Sequence, residues 1–299
     1  MKKIAVIVVL FMAIALVLSS CDEEVVNSGP CTVRWAGIRI STYGMRSSFG
    51  KDNFPSETDM AGYAEKMAGC YEGSNGAYIL IVGELHSEGC GLSFPVSGSY
   101  DYISGSKYDR YDSYLDECDK RGIDVWLQVE PGNADLVTLA KLVLDQYGKH
   151  SCVKGFGIDV EWHKPVEGVD EGTRLSDSDA QRVLSKVRSY NPEYTVFVKH
   201  WDYRWLPSRM DGLIYVNDSQ QFESMDHVIA EFSDWASRYA PQPVMFQIGY
   251  NADKAIWNSY TNPAKQFGQA IVDACNSGND VGIIWVDMTL SQVINKTNL

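Results

Sequence analysis

Residues 153–200 read VKGFGIDVEWHKPVEGVDEGTRLSDSDAQRVLSKVRSYNPEYTVFVKH. Two short runs, Gly155–Glu161 and Tyr194–His200, are rich in β-branched and aromatic residues and read as strands. Between them, Ser176 precedes a helical pattern whose first turn is acidic, which suits the helix dipole. A strand, a helix and a second strand in this order are typical of a parallel sheet, so the stretch predicts an α/β fold.

The same alternation recurs along the chain. Six further candidate strands are Val33–Thr42, Ala77–Val82, Asp124–Val129, Gly212–Val216, Val244–Ile248 and Gly282–Val286. The other helical patterns follow Ser56, span Ser106–Arg121, follow Asn133, and span Met225–Tyr239 and Pro263–Asn276. Eight strands alternating with helices predict a single (β/α)8 TIM barrel. An open doubly wound sheet is the alternative, but no GxGxxG turn follows the first strand.

The N-terminus predicts export. Two lysines and an apolar run lead to Leu18-Ser19-Ser20-Cys21, which resembles the lipobox of prokaryotic lipoproteins. We expect residues 1–20 to be a lipoprotein signal peptide, 21–32 a tether and 33–299 the barrel domain. Lipidated Cys21 would anchor an extracytoplasmic protein to a membrane. A plain signal peptide with an unmodified cysteine is the alternative.

The composition limits which kinds of partner the protein is expected to bind. The 299 residues carry a net charge of −13, and without the two lysines of residues 1–20 the balance is 24 − 39 = −15. Such an acidic chain is not expected to bind nucleic acid. Six cysteines remain after Cys21, and an even number in an exported protein suggests disulfides, though the pairing stays open. They are Cys31, Cys70, Cys90, Cys118, Cys152 and Cys275. No Cys/His cluster has zinc spacing, so we expect no metal site. We also expect no cofactor. The protein is expected to be a monomer.

Polar residues follow the candidate strands, where barrel enzymes carry their chemistry. We expect these residues to converge on one mouth. They are Arg39, Glu84, His86, Gln128, Glu130, Asp159, Glu161, His200, Asp202, Asn217, Asp218, Gln247, Tyr250, Trp285 and Asp287. Six of them are expected to bind the substrate: Glu130, His200, Asn217, Gln247, Tyr250 and Trp285.

The Asp-x-Glu pair at 159–161 is the most informative of these. Side chains alternate along a strand, so if Ile158 and Val160 face the helices, Asp159 and Glu161 face the barrel axis. Burial and like charge would then keep one carboxyl protonated, as the leaving-group acid of a glycosidase must be. The strand Val244–Ile248 has no glutamate at its end. The nucleophile must therefore come from the substrate or from another strand.

These residues resemble glycoside hydrolase family 18, the chitinases and endo-N-acetylglucosaminidases. In GFGIDVEW, Gly155 matches the first glycine of the family's DGxDxDxE-type motif, Asp159 its last aspartate and Glu161 its acid. Gly157 and Lys154 replace two motif aspartates. The segments at 211–218 and 282–288 are similar to the family's sixth and eighth strands.

The resemblance implies hydrolysis of an N-acetylhexosamine-containing poly- or oligosaccharide. Glu161 would protonate the leaving oxygen, and Asp159 would orient the 2-acetamido group, which would itself attack the anomeric carbon. Trp285 would lie under the sugar, and Tyr215 or Asn217 would bind the acetamide. Three alternatives remain open: a non-catalytic, lectin-like lipoprotein of the same fold, a structural cell-envelope protein, and a lysozyme-like or other glycosidase barrel.

Overall fold

A computed structural model describes residues 29–51, 53–165 and 172–297. Among them are ten strands, numbered in chain order. They are β1 (Thr32–Ile40), β2 (Asn75–His86), β3 (Gly89–Leu92), β4 (Ile103–Gly105), β5 (Asp124–Val129), β6 (Val153–Asp159), β7 (Thr195–Lys199), β8 (Leu213–Asn217), β9 (Val244–Ile248) and β10 (Asp280–Val286).

Helices follow most of the strands. In chain order they are α1 (Thr42–Phe49), α2 (Glu57–Ala68), α3 (Asp112–Arg121), α4 (Leu136–Tyr147), α5 (Asp177–Arg188), α6 (Met225–Tyr239), α7 (Lys254–Trp257), α8 (Pro263–Asp273) and α9 (Leu290–Thr297). Single turns of 3-10 helix follow four barrel strands, at Val160–Trp162, Tyr203–Trp205, Asn251–Asp253 and Asp287–Thr289.

The predicted (β/α)8 barrel is confirmed. Strands β1, β2 and β5 to β10 pair in parallel, and β1 closes the ring by pairing with both β2 and β10. Strand β2 continues past the barrel and pairs antiparallel with β3, to which β4 adds a parallel edge. The C-terminal ends of the eight barrel strands therefore share one mouth.

The side-chain period of two divides the strands into an axial and an outer face. A cluster of buried residues fills the axis: Trp35, Ala77, Ile79, Trp126, Phe197, Ile214, Val216, Met245 and Ile284. The alternate residues, such as Ile158 on β6 and Tyr215 on β8, belong to the larger core beneath the helices. A residue at the end of a strand therefore reaches the mouth only if its position in this alternation puts its side chain on the axial face.

Most predicted boundaries lie within a few residues of the observed ones. Ser56 and Ser176 cap α2 and α5 through their side chains, as their positions indicate. Helix α3 begins at Asp112 rather than near Ser106, because the Asp109 carboxylate accepts hydrogen bonds from the backbone N–H groups just before the helix. Asp135 caps α4 in place of the predicted Asn133.

One disulfide, Cys31–Cys275, joins the segments that lead into β1 and β10. The other cysteines within the described ranges are free thiols, three of them buried. Cys21, the proposed signal peptide and most of the tether lie outside the described residues. No helix in the described ranges has the length and apolar character needed to span a bilayer.

Candidate active site

A buried lysine, Lys199, organises one side of the barrel mouth. Its Nζ lies 2.8 Å from Glu161 Oε1 and 3.2 Å from Asp159 Oδ1, and it donates a hydrogen bond to Asp218. The three carboxyls come from the ends of β6 and β8, on either side of β7. Burial opposes the charge of Lys199, but the three acids together hold its pKa well above the ordinary value.

Glu161 is the carboxyl of this cluster best suited to carry a proton. It stands on the 3-10 turn after β6, and its side chain is 18 % exposed, whereas those of Asp159 and Asp218 are 3 % and 7 % exposed. Burial, followed by the charge of Asp218, raises the pKa of Glu161 well above its ordinary value. Glu161 therefore stays protonated to a higher pH than an ordinary glutamate and also reaches the cleft.

Asp218 is held in the opposite protonation state. Burial alone would raise its pKa, but the charge of Lys199 and the hydrogen bond with Glu161 outweigh this and lower it. The two carboxyls therefore form an unequal pair, in which Glu161 keeps the proton and Asp218 stays ionised. Such a separation of pKa values between neighbouring acids is typical of acid–base sites.

Asp159 lies deeper in the barrel. Burial raises its pKa to about 7, although the charge of Lys199 works against this rise. Gln128 Nε2 donates to Asp159 Oδ2 at 3.0 Å, and Oδ1 lies 3.2 Å from the Lys199 ammonium. Asp159 is therefore held by one neutral and one charged partner.

The ring of Phe197 leaves no room for a side chain at position 157, which is a glycine. A Cβ atom added to Gly157 would lie 2.1 Å from the Phe197 ring. The aromatic ring therefore occupies the space next to Asp159 in which a third axial acid on β6 would stand. Lys199, two residues further along β7, places a positive charge beside Asp159 instead.

The cleft has a volume of about 360 Å³ and is bounded opposite Lys199 by the ends of β1, β2, β5 and β9. Arg39 donates to Asp287 at 3.1 Å, and Asp287 also accepts from the backbone and hydroxyl of Ser41. Glu130 accepts from the Leu85 N–H at 2.7 Å. Residues that line the cleft include Arg39, Ser41, Tyr43, Glu84, Glu130, Asp159, Glu161, Trp162, Lys199, Asp218, Gln220, Tyr250 and Met288.

Seven of the fifteen strand-end residues selected from sequence therefore meet at this cleft: Arg39, Glu84, Glu130, Asp159, Glu161, Asp218 and Tyr250. Burial raises the pKa of Glu130, and the Tyr250 hydroxyl donates to Gln247 Oε1 at 3.1 Å. Gln247 itself is fully buried beneath Tyr250 and supports it.

Four residues predicted from sequence to contact the substrate do not line the cleft: Trp285, Tyr215, Asn217 and His200. Trp285, 1 % exposed, packs against Trp257 and donates to Thr289. Tyr215 donates to the Ser208 carbonyl and stacks on Tyr239.

Asn217 and His200 are fully buried as well. Asn217 bonds Glu231 and the Ser219 N–H, and the His200 ring accepts from the Asp202 N–H. The alternation of side chains along each strand explains all four positions. Ile284, Val216 and Phe197 face the barrel axis. The residues of opposite phase therefore face outward, and they are Trp285, Asn217, Tyr215 and His200.

Lys199 was not among the residues selected from sequence, and Asp218 was noted only as a strand-end residue. The period-two pattern relates both to earlier residues of their strands, but the sequence does not show which of those residues face the axis. Lys199 is in phase with Phe197 and Asp218 with Val216, so an axial reading of β7 and β8 places both at the mouth.

A second acidic cluster lies away from the cleft, on the helical shell. In the described part of the chain it is the one group of three side chains that could hold a metal ion, made of Asp112, Asp116 and His150. Lys149 already neutralises Asp112 at 2.6 Å. The cluster is not connected with the barrel mouth.

Comparison with known proteins gives distant matches. No family model and no curated protein matches the chain. Endo-glycoceramidase II from Rhodococcus sp. is 12 % identical over 86 % of this chain and 75 % of its own, with a TM-score of 0.45. A β-glucuronidase from Parabacteroides merdae is 11 % identical over 85 % of this chain and 31 % of its own, with a TM-score of 0.45. A psychrophilic family 10 endo-β-1,4-xylanase is 10 % identical over 85 % of this chain and 86 % of its own, with a TM-score of 0.42.

These neighbours are similar to the chain at the level of the barrel. The chain spans about a third of the length of the glucuronidase. At such identities the likeness identifies neither the reaction nor the substrate, so function must be argued from the cleft.

Proposed function

We propose that this protein is a glycoside hydrolase that acts on a glycan containing N-acetylhexosamine, with Glu161 as the acid. One observation carries the proposal: a carboxyl with a strongly raised pKa reaches a cleft beside an ionised aspartate and a buried lysine. Cleavage of a glycosidic bond needs a protonated carboxyl near neutral pH to protonate the leaving oxygen.

In the first step, Glu161 would transfer its proton to the glycosidic oxygen as the bond from that oxygen to the anomeric carbon breaks. The carboxylate that forms lies 2.8 Å from the Lys199 ammonium. This fixed positive charge stabilises the developing negative charge without reorganisation of water. Lys199 therefore takes part in the proposed mechanism by stabilising deprotonated Glu161.

The substrate's own acetamido group is the proposed nucleophile. Strand β9 ends at Ile248 and is followed by Gly249 and Tyr250, with no carboxylate. The acetamido oxygen would bond to the anomeric carbon and form a cyclic oxazolinium, while the Asp159 carboxylate, held by Lys199, accepts the acetamido N–H. Water would then attack the same carbon, return its proton to Glu161 and restore the acetamido group. Glu130 and Tyr250 are proposed to contact the sugar.

The experiment compares two aryl glycosides that differ only in the 2-substituent, an N-acetyl-β-hexosaminide and the matched β-hexoside. We expect hydrolysis of the first alone. The variant Glu161→Gln should lower kcat by about 10²- to 10⁴-fold and keep glycan binding. Glu65→Gln, on a helix of the shell, serves as the control with unchanged kcat.

The pH dependence follows from the direction of the Glu161 shift. An acid acts while it is protonated, so activity should be present below the Glu161 pKa and lost as pH rises through it. Equal hydrolysis of the β-hexoside would exclude acetamido participation. Glycan binding without hydrolysis by the unmodified protein would favour the lectin-like alternative.

We also propose that the chain is an extracytoplasmic lipoprotein anchored through Cys21. The lipobox-like end of the apolar N-terminal run supports this. Metabolic labelling with a radioactive fatty acid should mark the chain, and Cys21→Ser should abolish the label and release the protein from the membrane fraction. An equal label on the Cys21→Ser variant would contradict the proposal.

A further inference from the structure

A second groove adjoins the cleft at the barrel mouth. Its volume is about 400 Å³, and it lies between the loop after β7 and the loop after β8, with the first turns of α6 behind them. Gln220 lines both the groove and the cleft, so the two are continuous. A ligand longer than one sugar could extend from one into the other.

Trp201 gives the groove an apolar platform. Its side chain is 40 % exposed, although it follows a strand whose residues are buried. The buried ring of His200 packs against it with ring centroids 5.2 Å apart, and His200 in turn stacks on Trp205. The indole is therefore supported from below and exposed above. An exposed, supported aromatic loses little conformational entropy when a ligand covers it.

The adjoining Tyr203 is held in a similar way. It is 39 % exposed, and the guanidinium of Arg238 lies 3.5 Å from its ring centroid. Two half-exposed aromatic residues two positions apart at the mouth of a barrel are suited to the flat C–H faces of sugar rings, which are apolar.

Hydrogen bonds hold the loops in place without a ligand. The His200 ring accepts from the Asp202 N–H at 2.8 Å. On the other wall, Asn217 Oδ1 accepts from the Ser219 N–H at 2.7 Å, and the Asp253 carboxylate accepts from the Phe222 N–H at 2.8 Å. The groove is therefore pre-formed, and binding does not require the loops to order.

Two of the three carboxylates that line the groove are paired with arginines, and the third, Glu231, accepts hydrogen bonds from Asn217 and Ser219. Arg204 pairs with Asp202, and Arg238 pairs with Asp234. The amides of Gln220 and Gln221 add donors and acceptors of no net charge. An aromatic platform with neutral hydrogen-bonding groups suits an uncharged sugar better than a charged one.

We propose that this groove binds the sugar units next to the scissile bond, so that the substrate is an oligosaccharide or polysaccharide rather than a single glycoside. The inference rests on the proposed function and deepens it. It assigns Trp201 as the platform of a neighbouring subsite, and it predicts that efficiency rises with chain length.

The test measures kcat/KM for an N-acetylhexosamine tetrasaccharide and for the aryl N-acetyl-β-hexosaminide. We compare the unmodified protein, Trp201→Ala and, as a control, Tyr108→Ala, which removes an aromatic residue that is 70 % exposed and lines neither the groove nor the cleft. The unmodified protein and the control should prefer the tetrasaccharide. Trp201→Ala should reduce that preference by about tenfold or more, which corresponds to about 1.4 kcal/mol.

An unchanged preference in Trp201→Ala would overturn the groove assignment while leaving the proposed function intact. If no glycoside is hydrolysed, the proposed function fails and the groove is tested by binding instead. Calorimetric titration of the tetrasaccharide into the unmodified protein should then show binding. Trp201→Ala should weaken this binding, and Tyr108→Ala should not. Equal binding by both variants, or no binding by the unmodified protein, would overturn the assignment.

Discussion

The ring of Phe197 and the missing side chain of Gly157 form one packing unit at the base of the site. Any Cβ at position 157 would meet the ring at 2.1 Å, so the two residues must change together. Where the motif that this strand resembles has an axial acid, the chain has Gly157, with an aromatic ring and a lysine on β7 beside it. Asp159 thus keeps a charged neighbour, but of the opposite sign to the one expected from the family motif.

A double-mutant cycle tests this packing unit. Gly157→Ala should destabilise the protein by about 1 to 3 kcal/mol because it overpacks the barrel, and Phe197→Ala by about 3 to 5 kcal/mol because it leaves a cavity. The double variant should lose clearly less free energy of unfolding than the two single variants together, because the new methyl group enters the cavity. Urea unfolding measures all four free energies, and strict additivity would show that the two positions do not contact each other.

At the scale of the element, strand phase decides which residues reach the mouth. At the end of β6 polarity marks the two faces, because the apolar Ile158 and Val160 belong to the outer core and the alternate residues Asp159 and Glu161 line the cleft. On β8 and β10 only the terminal residues Asn217 and Asp280 are strongly polar, so polarity does not mark the axial face. The sequence therefore predicts eight strands and the Asp-x-Glu pair, but it does not predict which of Trp285 and Ile284 points inward.

The outward phase of Tyr215 leads to a specific expectation. Its hydroxyl donates to the Ser208 carbonyl and accepts from the Met210 N–H, beneath α6 and away from the cleft. Tyr215→Phe should therefore cost about 1 to 2 kcal/mol of stability through the lost hydrogen bonds and leave kcat and KM on the aryl N-acetylhexosaminide unchanged. A rise in KM at full stability would instead place the hydroxyl in contact with the sugar.

Lys199 illustrates a different limit of sequence reasoning. Its place beside Asp159 follows from the pairing of β6 with β7, in which Asp159 is aligned with Lys199. Pairing register between neighbouring strands cannot be read from either strand alone. A long-range contact of this kind therefore appears only once the barrel is assembled.

At the scale of the whole molecule, the Cys31–Cys275 disulfide links the two ends of the barrel across 244 residues of sequence. It holds the starts of β1 and β10 together, where the ring closes. A cross-link over so long a loop restricts the unfolded chain strongly, by about 5 kcal/mol in the chain-entropy description. An even cysteine count suggested disulfides, but only the fold shows which two cysteines meet.

Replacing both cysteines by serine should lower the free energy of unfolding by up to about 5 kcal/mol, and a reducing agent should have a similar effect on the unmodified protein. Cys70→Ser, at a half-buried free thiol, is the matched control and should respond to reduction as the unmodified protein does. If reduction leaves the midpoint of urea unfolding unchanged, the disulfide does not stabilise the barrel.

The proposed mechanism requires Glu161 to hold its proton near neutral pH, and carbon-13 NMR of protein labelled at the glutamate side-chain carboxyls measures this without any substrate. Comparison with the Glu161→Gln variant identifies the resonance. We expect a titration midpoint well above the ordinary glutamate value of about 4.3. A midpoint at or below that value would mean that Glu161 is ionised at neutral pH and cannot be the acid.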